Sequence, residues 1–283
     1  MELCPGTPNH ARDSDFVVPV PVWQDTPGRT DKTSKELIAD LSLSLLAFVL
    51  FASFATAVLH GAIGMAGGVI MAAILAHFIG IKEAVPVMTC ALVLSHLSRA
   101  IMFFRDTDWK IAFRVLLFGC PTIIVGALIF GVISPRTIAI IFAAFLIASF
   151  PIKFWARKNQ IETGPRLLAG ASAIWGMLAG NVIGPAFFLA PFLLGTGMNR
   201  MAFVGTLASI TLVMNVLKLS VFGATDLINN QLFLLGIMIG VMTIPGNWVG
   251  RAILKKMQDR DHRLIIDILT VLMIVNFIYL AAS

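Results

Sequence analysis

Cysteine and charge are both scarce in this chain, and each scarcity excludes a class of protein. Only Cys4, Cys90 and Cys120 occur in 283 residues, without framework spacing, so a secreted disulfide scaffold is excluded. Charged residues make up 13%, where soluble domains carry about 25%. The apolar runs lack a period of two, which argues against an outer-membrane barrel. The sequence contains no H-E-x-x-H, no evident Ser–His–Asp set and no G-x-x-x-x-G-K-[ST], so nothing points to an intramembrane enzyme or an ATP-driven motor. What is present instead is a composition 58% hydrophobic, with too much Leu, Ile, Val and Phe for a disordered chain. These features predict an all-α polytopic membrane protein.

The net charge of +6 is no sign of nucleic-acid binding, because the basic residues sit in short loops and are not interleaved with aromatics. Residues 1–40 differ from the rest. They hold five prolines and seven acidic against four basic residues, and they read as a flexible tail with one docked piece around 16–23. Beyond them, apolar segments are expected at 41–60, 68–79, 84–104, 112–133, 137–153, 167–181, 185–195, 201–222, 231–250 and 264–281. Segments 68–79 and 185–195 are too short to cross about 30 Å of hydrocarbon. Each follows a glycine-rich break, His60–Gly68 and Gly176–Pro185. If both breaks reverse the chain, Arg105, Lys110, Arg114, Lys153, Arg157, Arg166, Arg200, Arg251, Lys255 and their neighbours share one face. By the positive-inside rule that face is cytoplasmic, which puts both termini outside a bacterial-type inner membrane and Trp109 and Trp155 at the cytoplasmic interface.

A shift of 117 residues superposes the two breaks. Gly67 then meets Gly184, Gly80 meets Gly197, Gly119 meets Gly236, and Thr89 meets Thr206. Identities are few, and the shared order of break, short helix, glycine and long helix is the stronger evidence. Five segments per half would make two inverted repeats with broken or re-entrant glycine-rich helices, residues 41–160 and 161–283, after the 1–40 tail. Such repeats place a substrate site near the midplane, where half-helix N-termini present N–H groups and the positive end of the dipole to an anion. Glycine in membrane helices also serves close packing alone. Two matched breaks with half-length helices favour the binding reading, for which Gly64, Gly67, Gly68 and Gly184 are candidates, with Asn181 as cap of the second half-helix or ligand contact.

The runs Gly61-Ala-Ile-Gly-Met-Ala-Gly-Gly-Val-Ile and Gly176-Met-Leu-Ala-Gly-Asn-Val-Ile-Gly-Pro-Ala-Phe-Phe-Leu-Ala-Pro resemble the paired glycine motifs of the sulfite exporter TauE/SafE family, also called the toluene sulfonate uptake permease superfamily. The resemblance covers about 41–282. It departs from the family pattern at Ala66 and Ala73, and at Asn181 and Pro185 within the second glycine cluster. It implies a transporter of small sulfur-containing anions such as sulfite, sulfoacetate or other sulfonates.

Polar residues inside the apolar segments supply the remaining candidates. Thr89, Ser95, His96, Ser98 and Arg99 lie on 84–104, and Thr206, Ser209, Thr211, Asn215 and Lys218 on its repeat partner. His96 and Arg99 share a face, as do Thr211, Asn215 and Lys218. Carboxylates are nearly absent apart from Asp267, so Arg99 and Lys218 lack obvious partners and suit an anionic substrate; snorkelling to the headgroups is the competing reading, above all for Lys218. His60 at the first break either donates to an anion or caps the break, whereas His77 and His262 read as interfacial and solvated. No cofactor or metal is expected, and a dedicated acidic Na⁺ site is disfavoured. Proton coupling through His60 or His96, or passive movement of the anion, remains open. An anion channel of the same fold, an uptake permease for other small carboxylate or sulfonate anions, and a membrane scaffold are the alternatives. Small-residue faces at Gly119, Gly126 and Gly131 suit packing within the protomer or across a homodimer.

Overall fold

The computed structural model describes residues 43–64, 67–158 and 162–257, with positions 265, 268, 271, 272, 275, 278 and 279 of the last segment. The tail with its docked piece, Ala66, His262, Asp267 and segment 264–281 as a whole lie outside the described residues. In hydrocarbon every backbone N–H and C=O must be satisfied within the chain, and the apolar runs accordingly form helices. Among the described residues there are nine: α1 Leu43–Ile63, α2 Gly67–Ile79, α3 Ile81–Met102, α4 Trp109–Val132, α5 Pro135–Lys158, α6 Pro165–Asn181, α7 Ala186–Leu194, α8 Arg200–Ala224 and α9 Asn230–Lys256. A single 3-10 turn, Phe104–Asp106, follows α3. No strand occurs among the described residues.

α1, α3, α4, α8 and α9 are long and apolar enough to cross a membrane, while α2 and α7 have only 13 and 9 residues. Loop side chains fix three of the helix starts. Asp108 Oδ1 accepts from the Ile111 N–H, Asn199 Oδ1 from Ala202 and Asn229 Oδ1 from Leu232, each at 2.9–3.0 Å. Because Asp108 is the cap, α4 begins at Trp109, three residues before the expected 112. α9 runs on from the expected 250 to Lys256, where Lys255 and Lys256 meet the negative end of the helix dipole.

α3 and α8 pack on each other at the centre of the molecule. α9 packs on α1 and α3, and α4 packs on α6 and α8. α2 lies against α1 and α3, while α7 contacts α6, α8 and α5. The buried polar side chains, including Ser95, His96, Arg99, Thr211, Asn215 and Lys218, therefore concentrate on the two innermost helices. The outward faces are apolar, with Phe51, Phe113 and Val132 at least 70% exposed, as lipid contact requires. Trp109 and Trp155 are likewise exposed. Where α1 crosses α9 and α4 crosses α6, glycines bring backbone against backbone: Gly250 lies on Val58 and Ala62, and Gly180 on Gly126 and Ala127.

Candidate functional site

Both glycine-rich runs interrupt a helix, within a few residues. α1 ends at Ile63, Gly64 turns with φ 97°, and α2 starts at Gly67. α6 ends at Asn181, Gly184 turns with φ 81°, and α7 starts at Ala186. Both turns need the left-handed region, which glycine enters without steric cost. The ungapped shift paired Gly67 with Gly184, but the turning glycine of the first break is Gly64, three positions earlier. The two breaks thus differ in length, which an ungapped comparison cannot represent. Pro185 is the N-cap of α7 and not its first helical residue.

A single cavity joins the two breaks. Gly64 and Gly68 line it from the first and Val182–Ala186 from the second; His60, Leu92 and His96 come from α1 and α3, and Leu207, Thr211, Met214 and Asn215 from α8. Its accessible interior is small, about 30 Å³, room for a water molecule or two. The lining is apolar but for the two histidines, Thr211 and Asn215, and it contains no carboxylate.

His60 has a defined tautomer. The Gly68 N–H donates to its Nδ1 at 3.1 Å, so the proton of the neutral ring sits on Nε2, which is buried and has no partner among the described residues. His60 therefore caps α2 and still offers one donor. The His96 ring meets that of His60 edge to face, with centroids 5.2 Å apart, and its buried Nδ1 is also unpartnered. One turn further along α3, Arg99 is 1% exposed, and none of its three guanidinium nitrogens has a hydrogen-bond partner among the described residues. The guanidinium lies beside the first break: a methyl group placed on Gly64 would stand 3.7 Å from Nη2. Burial of the whole side chain overturns the snorkelling reading for Arg99. A buried, unpaired cation costs several kcal/mol, so it requires a counter-charge to be favourable.

Several expected contacts fall elsewhere. Lys218 is 1% exposed and does not snorkel; neither does it reach the cavity lining. Its Nζ donates to the carbonyls of Ala179 and Val182 at 3.1 and 3.2 Å. Asn181 does not cap α7: its Nδ2 donates back to the Met177 carbonyl, because the last turn of α6 holds the side chain on its own helix. Gly67 is a packing glycine, since a side chain there would run into the Thr56 carbonyl and His60. Thr89 bonds back to the Val85 carbonyl. The hydroxyls of Ser95 and Ser98 accept from Asn247 Nδ2, each at 3.0 Å, and so tie α3 to α9. Asn247, fully buried and also bonded to the Ser95 carbonyl, is a further polar residue of this network, and its only sequence signal is Thr243 four residues earlier on the same face. Thr206 accepts from the Asp108 N–H at 2.9 Å and anchors the loop before α4. Thr206→Val is thus expected to lower stability by about 1–2 kcal/mol through an orphaned N–H, which thermal melting checks.

Of the expected residues, His60, Gly64, Gly68, His96, Gly184 and Asn215 meet at the cavity, with Arg99 beside it. Thr211 belongs with them. The family model described as Sulfite exporter TauE/SafE matches residues 49–277. No curated protein and no solved structure matches the chain.

Proposed function

Because the chain belongs to the sulfite exporter TauE/SafE family, we propose that it is a secondary transporter of small sulfur-containing anions, sulfite or organosulfonates, exporting them by alternating access around the cavity between the two breaks. The observation that carries this reading is Arg99, a buried guanidinium with no hydrogen-bond partner among the described residues, set against the first break of a cavity whose described lining holds no carboxylate. A sulfite or sulfonate group presents oxygens in a geometry that the planar fork of an arginine matches. The His60 Nε2–H and the first turn of α7, which no side chain caps, supply further donors around the same space.

Alternating access calls for two halves related by inversion. The packing supports that reading: exchanging α1 with α6, α2 with α7, α3 with α8 and α4 with α9 turns the α1–α9 and α3–α9 contacts into α6–α4 and α8–α4, which also occur. Gly80 and Gly197, 117 apart, share a positive φ of 84° and 83°. The division into repeats at 41–160 and 161–283 and an inner-membrane location with both termini outside belong to the same proposal; Gly119 and Gly126 pack against α6 within the protomer and are not available to a homodimer face.

The test is counterflow. Proteoliposomes loaded with unlabelled sulfite are expected to accumulate labelled sulfite transiently against its gradient, which a channel of the same fold cannot do. On purified protein, sulfite, sulfoacetate and taurine are compared with acetate, phosphate and sulfate for thermal stabilisation. A ligand at a hundredfold excess over Kd adds about 2.7 kcal/mol to stability. Stabilisation by neutral or cationic solutes alone would sink the proposal, and sulfite flux without counterflow would replace the carrier with a channel.

A further inference from the structure

The second break holds a cation that the proposed anion site does not use. When a helix is interrupted, the last carbonyls of its first half lose their intrahelical donors and gather the negative end of the dipole. In transporters built on broken helices such carbonyls coordinate the coupling Na⁺. Here they are already occupied. Lys218 reaches across from α8, and its Nζ donates to the carbonyls of Ala179, in the last turn of α6, and of Val182, the residue that follows it. The rings of Phe222 and Phe130 flank the ammonium at 5.4 and 6.0 Å to their centroids. Two carbonyl oxygens and two ring faces together present partial negative charge to a cation. An apolar side chain of the same length would leave the carbonyls of Ala179 and Val182 without this donor, where no water replaces it.

The two breaks differ in this respect. At the first, the cation is Arg99 and its nitrogens are unpartnered among the described residues; at the second, Lys218 is engaged with the backbone. Val182 is also part of the cavity lining, so what holds its carbonyl holds that wall of the cavity.

We propose that Lys218 is a tethered cation filling the carbonyl site at the second break, where an exchangeable Na⁺ would otherwise bind, so that this protein handles its anion without a free metal cation. Lys218 is on this view a positioning residue: it fixes the end of α6 and the entry to α7 and does not touch the anion. The consequence for transport rests on the anion reading above; the occupancy of the carbonyl site does not.

The experiment compares the full-length protein with Lys218→Ala and Lys218→Met in NaCl, KCl and choline chloride. Melting temperature is the first readout and sulfite affinity the second. The wild type is expected to give the same values in all three salts. Lys218→Ala should melt lower and bind sulfite at least about tenfold more weakly, having lost two charge-assisted hydrogen bonds. Propylammonium, which replaces the deleted atoms, should restore both readouts, and Na⁺ should restore them in part. Propan-1-ol, of similar shape without the charge, should not. Lys218→Met keeps the packing and should show the same losses without rescue by amine, which keeps the test decisive if Lys218→Ala does not fold. A Na⁺ requirement in the wild type, equal rescue by amine and alcohol, or a Lys218→Met protein as stable and as tightly binding as wild type would each overturn the proposal. If no anion binds any variant while the melting pattern holds, the anion reading fails and the tethered cation stands.

Discussion

Arg99→Met should weaken sulfite binding by at least about a hundredfold and, at the same time, raise the melting temperature of the anion-free protein. The two effects have one origin. In the structure the guanidinium is 1% exposed and its three nitrogens find no partner among the described residues. An unpaired charge in such surroundings destabilises the empty protein by several kcal/mol, and an apolar side chain of similar volume removes that cost. On the proposed reading the same charge would be the largest source of anion affinity, since charge-assisted, bidentate contacts to oxyanions are about twice as strong as neutral ones. Arg99→Lys retains the charge but not the fork, and should bind more weakly than wild type. Melting curves across a sulfite titration report both quantities. An Arg99→Met protein that is less stable than wild type when empty, or that still responds to sulfite with wild-type affinity, would show that the arginine serves the fold instead.

The second large effect concerns the crossings that hold the breaks in place. Gly180→Val and Gly250→Val are each expected to prevent accumulation of folded protein. A Cβ on Gly250 would come 2.7 Å from the Ala62 nitrogen and the Gly61 Cα, and one on Gly180 would come 2.6 Å from the Gly126 Cα. These are backbone atoms, which cannot move aside by changing rotamer. Accommodating the added carbons means separating α1 from α9, or α4 from α6, at more than about 3 kcal/mol. Gly223→Ala is the control, because a Cβ there meets nothing within 4 Å; it should be neutral or mildly stabilising. Size-exclusion profiles of detergent extracts distinguish the outcomes. A monodisperse Gly180→Val protein with the wild-type melting temperature would remove the packing argument for these crossings.

The candidate site was legible in outline only. His60, Gly64, Gly68, His96, Gly184 and Asn215 do meet, because a buried polar group or a glycine cluster in an apolar segment is rare enough to notice without knowing its neighbours. Ser95, Ser98 and Thr206 carried the same signal and turned out to serve α9 and the loop before α4. Helical spacing says which residues share a face, but not which neighbour that face meets. Asn247, the partner of both serines, shares a face with Thr243 four residues earlier, a pair whose spacing says nothing of the helix it meets.

The sequence by itself determined that the chain is helical and built to cross a membrane, and, to within a few residues, where most of its helices start, break and stop. These are local properties: long apolar runs must satisfy their own backbone in hydrocarbon, capping side chains lie within a turn of the groups they cap, and glycine marks the turns. Only the tertiary structure decided what each buried polar side chain faces. Arg99 and Lys218 look alike in the sequence, each a cation in an apolar helix without a nearby carboxylate. One lies unpartnered beside the cavity and the other is bound to the carbonyls of Ala179 and Val182, 39 and 36 residues away. The energy of a buried charge is set by the groups that three-dimensional packing brings within hydrogen-bond reach, and no local pattern in the chain encodes that distance.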